Sequence, residues 1–235
     1  MPDTRVLTDS LKQNINKIEC TPEMQTLIYD AVLNPNKLNE HAWVKLVESV
    51  TIKATQNLSH GRAAAKICND IAQTEQRLAE TTGKEKVFRK TLLNQLQSVY
   101  TRHKENQYRN VDTWVGFVNF LCSVFDVLQI NNMPLMVLIS PVYEVLNILT
   151  EERFIEKEIA IQCLVTQLQF IGEEIEKHNK AKMKDLVKQL NKMFLSDKTS
   201  QLSRLMLLEI IELQCGGWKL SRDAYAYYYE EVVKT

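Results

Sequence analysis

Turn-forming residues are scarce in this chain: six glycines and five prolines in 235 residues. A sandwich or barrel of short strands needs turn signals about every 8–12 residues, so an all-β fold is excluded at the outset. Cysteine is sparse and scattered. Cys20, Cys68, Cys122, Cys163 and Cys215 stand singly and are odd in number, which argues against a disulfide framework and a zinc clip and for small buried apolar side chains in a reducing compartment. Charge of one sign is missing too, with 29 Lys+Arg against 29 Asp+Glu, so the basic excess of a dedicated nucleic-acid binder is absent. The N-terminal "MPDTRVLTDSLKQ" has no apolar core, so no signal peptide is read. The most membrane-like stretch, "WVGFVNFLCSVFDVLQI", carries Asn119 and Asp126 and falls short of the roughly 20 apolar residues of a span, so it reads as a buried helix. Catalytic signatures are missing as well: no Gly-rich phosphate loop, no G-x-S-x-G, no H-E-x-x-H. His41, His60, His103 and His178 are isolated and read as surface or capping residues. The acidic pairs Glu173-Glu174 and Glu230-Glu231 read as solvated faces. An enzyme is disfavoured, and no catalytic residue, cofactor or metal site is expected.

What the chain does have is helical periodicity. Met24, Leu27, Ile28 and Ala31 recur at i, i+3, i+4, i+7, as do Trp43, Leu46, Val47 and Val50, and Ala64, Ile67, Cys68 and Ile71. Ten helices are predicted, over 22–33, 38–56, 60–80, 85–107, 111–130, 134–150, 153–178, 181–195, 199–214 and 221–232. Their breaks have local chemistry. Thr21-Pro22 and Asn34-Pro35 are stop-and-start signals, and Ser59, Ser200 and Ser221 are placed to cap. Gly83 and Cys215-Gly216-Gly217 end helices with positive φ. Pro134 is expected in a first turn, and Pro141 is expected to kink its helix near Val137. The helices pair into five hairpins starting near 22, 60, 110, 153 and 199, a spacing of the HEAT type. The third is apolar almost all round, so it is expected to be flanked on all sides. The expected fold is all-α, a right-handed α-solenoid of five helical hairpins, with residues 1–20 as a mobile tail and 21–235 as one domain.

Two basic tracts stand out. Lys84, Lys86, Arg89, Lys90, Arg102 and Lys104 lie along the fourth helix, and Lys177, Lys180, Lys182, Lys184, Lys188 and Lys192 around the eighth. Each reads first as a solvated face, and otherwise as a surface for an acidic segment or an RNA backbone. The C-terminal "QCGGWKLSRDAYAYYYEEVV" is dense in aromatics. In a helix from Ser221, Tyr225, Tyr228, Tyr229 and Val232 share a face and Tyr227 falls off it, which favours a packed end over a base-stacking platform, with the hydroxyls turned to water or backbone. Trp218 reads as a core plug or as a partner contact.

The stretches "VFRKTLLNQLQSVY", "FDVLQINNMPLMVLISPVYEVL", "CLVTQLQFIGEEIEKHN" and "LLEIIELQCGGWKLSRDAYAYYYEEV" resemble the MIF4G domain, the middle domain of translation initiation factor 4G, in its small stand-alone form. The resemblance runs over about residues 20–233. It implies a non-catalytic adaptor of five HEAT repeats that joins the histone mRNA stem-loop-binding protein to translation initiation factor components, 4G and 3 among them. It also implies a homodimer, association with a DEAD-box helicase, residence in cytoplasm and nucleus, and at most weak or indirect RNA contact. The poly(A)-binding-protein-interacting class is the second resemblance, with an RNA-binding scaffold or a helicase regulator as the alternative functions.

Placed on these motifs by physical argument, the expected partner-binding residues are Arg89, Asn94 and Gln97 on the fourth helix, Asn131 and Asn132 in "INNMP", Glu209 and Glu212 on the ninth helix, and Trp218 beside them. Amides at Asn131 and Asn132 suit an extended peptide backbone. Carboxylates at Glu209 and Glu212 suit a basic residue, and Trp218 suits an apolar anchor.

Overall fold

The computed structural model describes residues 4–83, 85–106, 108–130 and 133–231, and the all-α fold stands, with eleven α-helices among the described residues. Contacts divide the chain into two compact units, residues 1–136 and 137–235.

The first unit holds α1 (Thr4–Lys17), α2 (Pro22–Leu33), α3 (Glu40–Gln56), α4 (Leu58–Thr82), α5 (Val87–Glu105) and α6 (Val111–Val127). The expected tail is instead α1. Its Leu11 and Ile15, with Ile18 just beyond it, form a narrow apolar stripe that is fully buried, and the helix packs on α4. That stripe is hidden in the sequence by the polar residues crowding it. Helices α2, α4 and α6 form one layer, with α3 and α5 beside them. Asn39, Asn57 and Asn110 cap α3, α4 and α6 by accepting backbone N–H bonds. Gly83 ends α4 at φ 68°, as its sequence position suggests.

Helix α6 has every residue from Trp114 to Phe125 buried, in line with its all-round apolar sequence. Gly116 lets it approach α3 closely, since a Cβ there would stand 2.1 Å from the Thr55 carbonyl oxygen. Asp126 at its end pairs with Arg62 at 2.8 Å. The helix stops at Val127 rather than 130. Gln129 and Ile130 form a strand, β1, antiparallel to β2 at Met133 and Pro134. Side chains of α4 hold β1 in place: Gln73 Nε2 donates to the Gln129 carbonyl at 2.7 Å, and Asn69 Oδ1 accepts its N–H at 3.4 Å. Pro134 therefore lies in a strand pair and not in a helical first turn.

The second unit holds α7 (Ile139–Ile148), α8 (Glu158–His178), α9 (Lys180–Leu195), α10 (Gln201–Cys215) and α11 (Arg222–Ala226), the last running into a wide helical turn over Tyr227–Glu231. Helix α7 begins at Ile139, so Pro141 sits in its first turn, where a missing N–H costs nothing, and the expected kink does not arise. Helices α8 and α10 pack together, with α9 against both and α7 against α9. Tyr143 ties α7 to the corner between α8 and α9, donating to the carbonyls of Ile175 and Asn179, each at 3.0 Å.

Among the described residues no helix is long and apolar enough to cross a membrane. Four cysteines are buried and Cys215 is exposed.

Candidate partner interface

In the first unit, α3 and α5 lie side by side and leave a furrow between them. It is made of two adjoining cavities of about 520 and 620 Å³ that share Gln95. The stripe that buries α3 runs through Trp43, Leu46, Val47 and Val50. Val44, Glu48 and Ile52, each four residues from the next, lie off that stripe and face the furrow, and Val44 and Ile52 remain 39% and 53% exposed. They give the furrow an apolar wall. Lys86 and Lys90 border the first cavity, opposed by Glu40 and Glu85. The second cavity is bordered by Arg102 and Arg109 against Glu48 alone. Its remaining basic residue, His103, packs edge-on against the buried Trp114 ring. Burial first, and Arg102 second, hold His103 below the ordinary histidine value, so it is uncharged at neutral pH.

The sequence-predicted residues of α5 separate here. Asn94 lines the first cavity and is exposed. Gln97 is exposed but faces Thr101 on its own helix, at 3.4 Å. Arg89 is committed inside the fold. No side chain of α5's own sequence caps its N-terminus. Glu75 reaches over from α4 instead and accepts the N–H groups of Phe88 at 2.5 Å and Arg89 at 3.3 Å. Arg89 answers with its guanidinium, 3.6 Å from the same carboxylate and 3.1 Å from Gln76 Oε1. Burial raises the Glu75 carboxyl above its ordinary value, and these backbone and guanidinium donors pull it back. Arg89 is thus a structural ion-pair partner and not a furrow residue. Asn131 and Asn132 lie outside the described residues, as does Lys84.

The second unit gathers Glu209, Glu212 and Trp218, and each has an internal partner. Trp218, at φ 64° after Gly217 at φ 67°, swings its ring back onto α8 over Gly172. A Cβ at Gly172 would stand 2.0 Å from the Trp218 ring, so only glycine leaves room. The indole N–H donates to Glu176 at 2.6 Å. Trp218 is therefore a plug between α8 and the end of α10. Glu212 accepts the Tyr228 hydroxyl at 2.7 Å, and Glu209 accepts the Tyr229 hydroxyl and, at 2.9 Å, Gln169 Nε2. The Tyr228 and Tyr229 hydroxyls thus go to carboxylates rather than to water or backbone. Only Tyr228 of the four tyrosines is buried, because the wide turn after Ala226 shifts the register of an ordinary helix. Val232 lies outside the described residues. On α9 the lysine tract is partly committed. Lys182 meets Ser140 at 2.9 Å and Lys188 meets Asp185 at 2.9 Å, while Lys180, Lys184 and Lys192 face solvent.

Residues 10–215 match the MIF4G domain. The chain is similar to MIF4G domain-containing proteins of several vertebrates. It is 36% identical to that of Xenopus tropicalis over 228 residues, 96% of this chain and 99% of the relative. It is 38% identical to MIF4G domain-containing protein B of Danio rerio over 212 residues, 89% of this chain and 92% of the relative. Against the Homo sapiens protein the identity is 36% over 211 residues, 89% and 92% of the two chains.

Proposed function

The chain belongs to the MIF4G domain family, and on that premise we propose that it is a non-catalytic adaptor that joins the histone mRNA stem-loop-binding protein to translation initiation factors. The family ties the chain to translation initiation or to RNA-associated adaptor work. The finer reading takes the α3–α5 furrow as the place where a partner segment docks. The observation that supports it is the pair Val44 and Ile52, apolar, exposed and off the stripe that α3 needs for its own packing. Interfaces draw most of their affinity from a few such anchors, and the Arg102–Arg109 end favours a carboxylate on the incoming segment. The proposal extends to a homodimer, to association with a DEAD-box helicase, and to residence in both cytoplasm and nucleus.

The test is a titration of the purified chain with purified stem-loop-binding protein, repeated with Val44→Glu and Ile52→Glu combined. The variant is expected to fold normally and to bind roughly thirtyfold more weakly, as the loss of about 2 kcal/mol at an interface anchor requires. Unchanged affinity in the folded variant refutes the furrow. A second reading, an RNA scaffold on α9, draws on Lys180, Lys184 and Lys192 at the solvent face. It requires that bare RNA bind with a steep salt dependence, which the adaptor reading does not.

A further inference from the structure

The chain's own C-terminal segment meets the carboxylates Glu209 and Glu212 on α10 through two tyrosine hydroxyls. That segment is lightly held. Its helix, α11, has five residues, capped by Ser221 Oγ accepting the Ala224 N–H at 3.1 Å. Among its described side chains from Arg222 to Tyr229, only Tyr228 is buried, at 8% exposure. Among the described residues, its polar hold on α10 is the pair of hydroxyl-to-carboxylate bonds, Tyr228 to Glu212 and Tyr229 to Glu209. The two tyrosines differ in access. Tyr228 is shielded, whereas Tyr229 is 44% exposed, with its ring against Tyr225 at 4.8 Å between centroids. Tyr225 and Tyr227 are as open, but no hydroxyl bond to α10 depends on either.

We propose that Tyr229 is a phosphoryl-acceptor site and that its phosphorylation unlatches residues 222–231 from α10. The co-reactants are ATP and a tyrosine kinase. The bond from the γ-phosphorus to the ADP oxygen breaks, the bond from phosphorus to Tyr229 Oη forms, and the phenolic proton leaves to the kinase's base. Asp223, Glu230 and Glu231 flank the acceptor, and a short, thinly packed helical end opens locally at low cost, which a kinase needs in order to thread it. The product reverses the latch. The ester oxygen no longer carries a hydrogen for Glu209, and a group of about −2 charge is set against Glu209, with Glu212 three residues further along the same helix. Like charges then replace a hydrogen bond, and a segment with one buried ring has little to resist them. Glu209 keeps Gln169 as its donor when the segment leaves, so α8 and α10 stay paired and only the cover is lost.

The experiment treats the purified full chain with the catalytic domain of a broad-specificity tyrosine kinase and MgATP, maps phosphate by mass spectrometry, and follows amide hydrogen exchange over 222–231 together with tryptic cleavage after Arg222. Phosphate on Tyr229 is expected, with exchange across the segment roughly tenfold faster or more and with faster cleavage. Tyr229→Phe treated in parallel is expected to show no kinase-dependent change, and a Tyr225→Phe, Tyr227→Phe variant is expected to behave as the natural chain. Phosphate confined to Tyr225 or Tyr227 overturns the assignment of the site. Full modification of Tyr229 with unchanged exchange overturns the unlatching, as does an unmodified chain whose segment already exchanges at the unfolded rate.

Discussion

Trp218→Ala tests whether this side chain is a plug or a partner contact. Removing a fully buried tryptophan costs about 3–5 kcal/mol, and Trp218 is half-buried, so its packing contributes about 2. The Glu176 carboxylate loses its indole donor but keeps Gln214 Nε2 at 3.0 Å, which limits that loss to about 1 kcal/mol. Trp218→Ala should therefore destabilise by about 3 kcal/mol. The fit of ring to glycine allows a sharper version. Gly172→Ala gains up to about 1 kcal/mol of helix propensity but drives a Cβ into the ring, an overpacking worth about 1–3 kcal/mol. With Trp218 already alanine the collision is gone and only the propensity gain remains. Gly172→Ala should destabilise the natural chain by about 1 kcal/mol and stabilise the Trp218→Ala chain by up to about 1, a coupling of about 2 kcal/mol. Urea unfolding of the four proteins by circular dichroism measures it. Additive effects, or a Trp218→Ala loss under about 1 kcal/mol accompanied by lost partner binding, would refute the plug.

Three further outcomes are expected. Phe125→Ala removes a ring that is 1% exposed on the all-buried α6 and should cost about 3–5 kcal/mol in the same unfolding assay. Glu75→Ala strips α5 of the carboxylate that caps it and leaves the largely buried Arg89 without its partner, a loss of about 3 kcal/mol, whereas Arg89→Ala should leave partner affinity unchanged in a titration. Burial pushes the Asp70 carboxyl from 3.8 up to about 6, so the folded chain holds a proton there that the unfolded chain has released, and stability owed to this group falls as pH rises from about 4 to about 6; unfolding measured across that window should show the slope, and Asp70→Asn should remove it.

The helices were legible because their cause is local. The stripe of Trp43, Leu46, Val47 and Val50 faces inward as its spacing demands, and Gly83 ends α4 in the left-handed conformation its position suggests. The errors arose where two local rules compete. Residues 129–141 contain two prolines, Pro134 and Pro141, in an apolar run, so helical periodicity and proline chemistry make opposite demands there. The chain obeys the prolines, with a strand pair first and a helix only from Ile139. The N-terminal helix α1 is the opposite case. Its apolar stripe is narrow but well segregated from the polar face, and the helix is polar on average, so its amphipathicity alone marks it in the sequence; α4 supplies the face that covers the stripe.

Site residues were harder to read because exposure of a polar side chain is decided by partners far along the chain. Arg89 is engaged by Glu75, fourteen positions earlier, while Glu212 meets Tyr228, sixteen positions later, and Trp218 meets Glu176, forty-two positions earlier. No periodicity announces such pairings, since each depends on which helix ends meet. A charged or amide residue on a predicted outer face is therefore a weak indicator of function, because the fold itself consumes many of them. An apolar residue out of phase with its helix's own stripe is a stronger one. Val44 and Ile52 lie off the stripe that packs α3, which is why the furrow is the surface the proposed docking rests on. That pattern, two apolar residues eight apart and off the Trp43–Val50 stripe, is readable in the sequence of α3, whereas the pairings that commit Arg89, Glu212 and Trp218 are not.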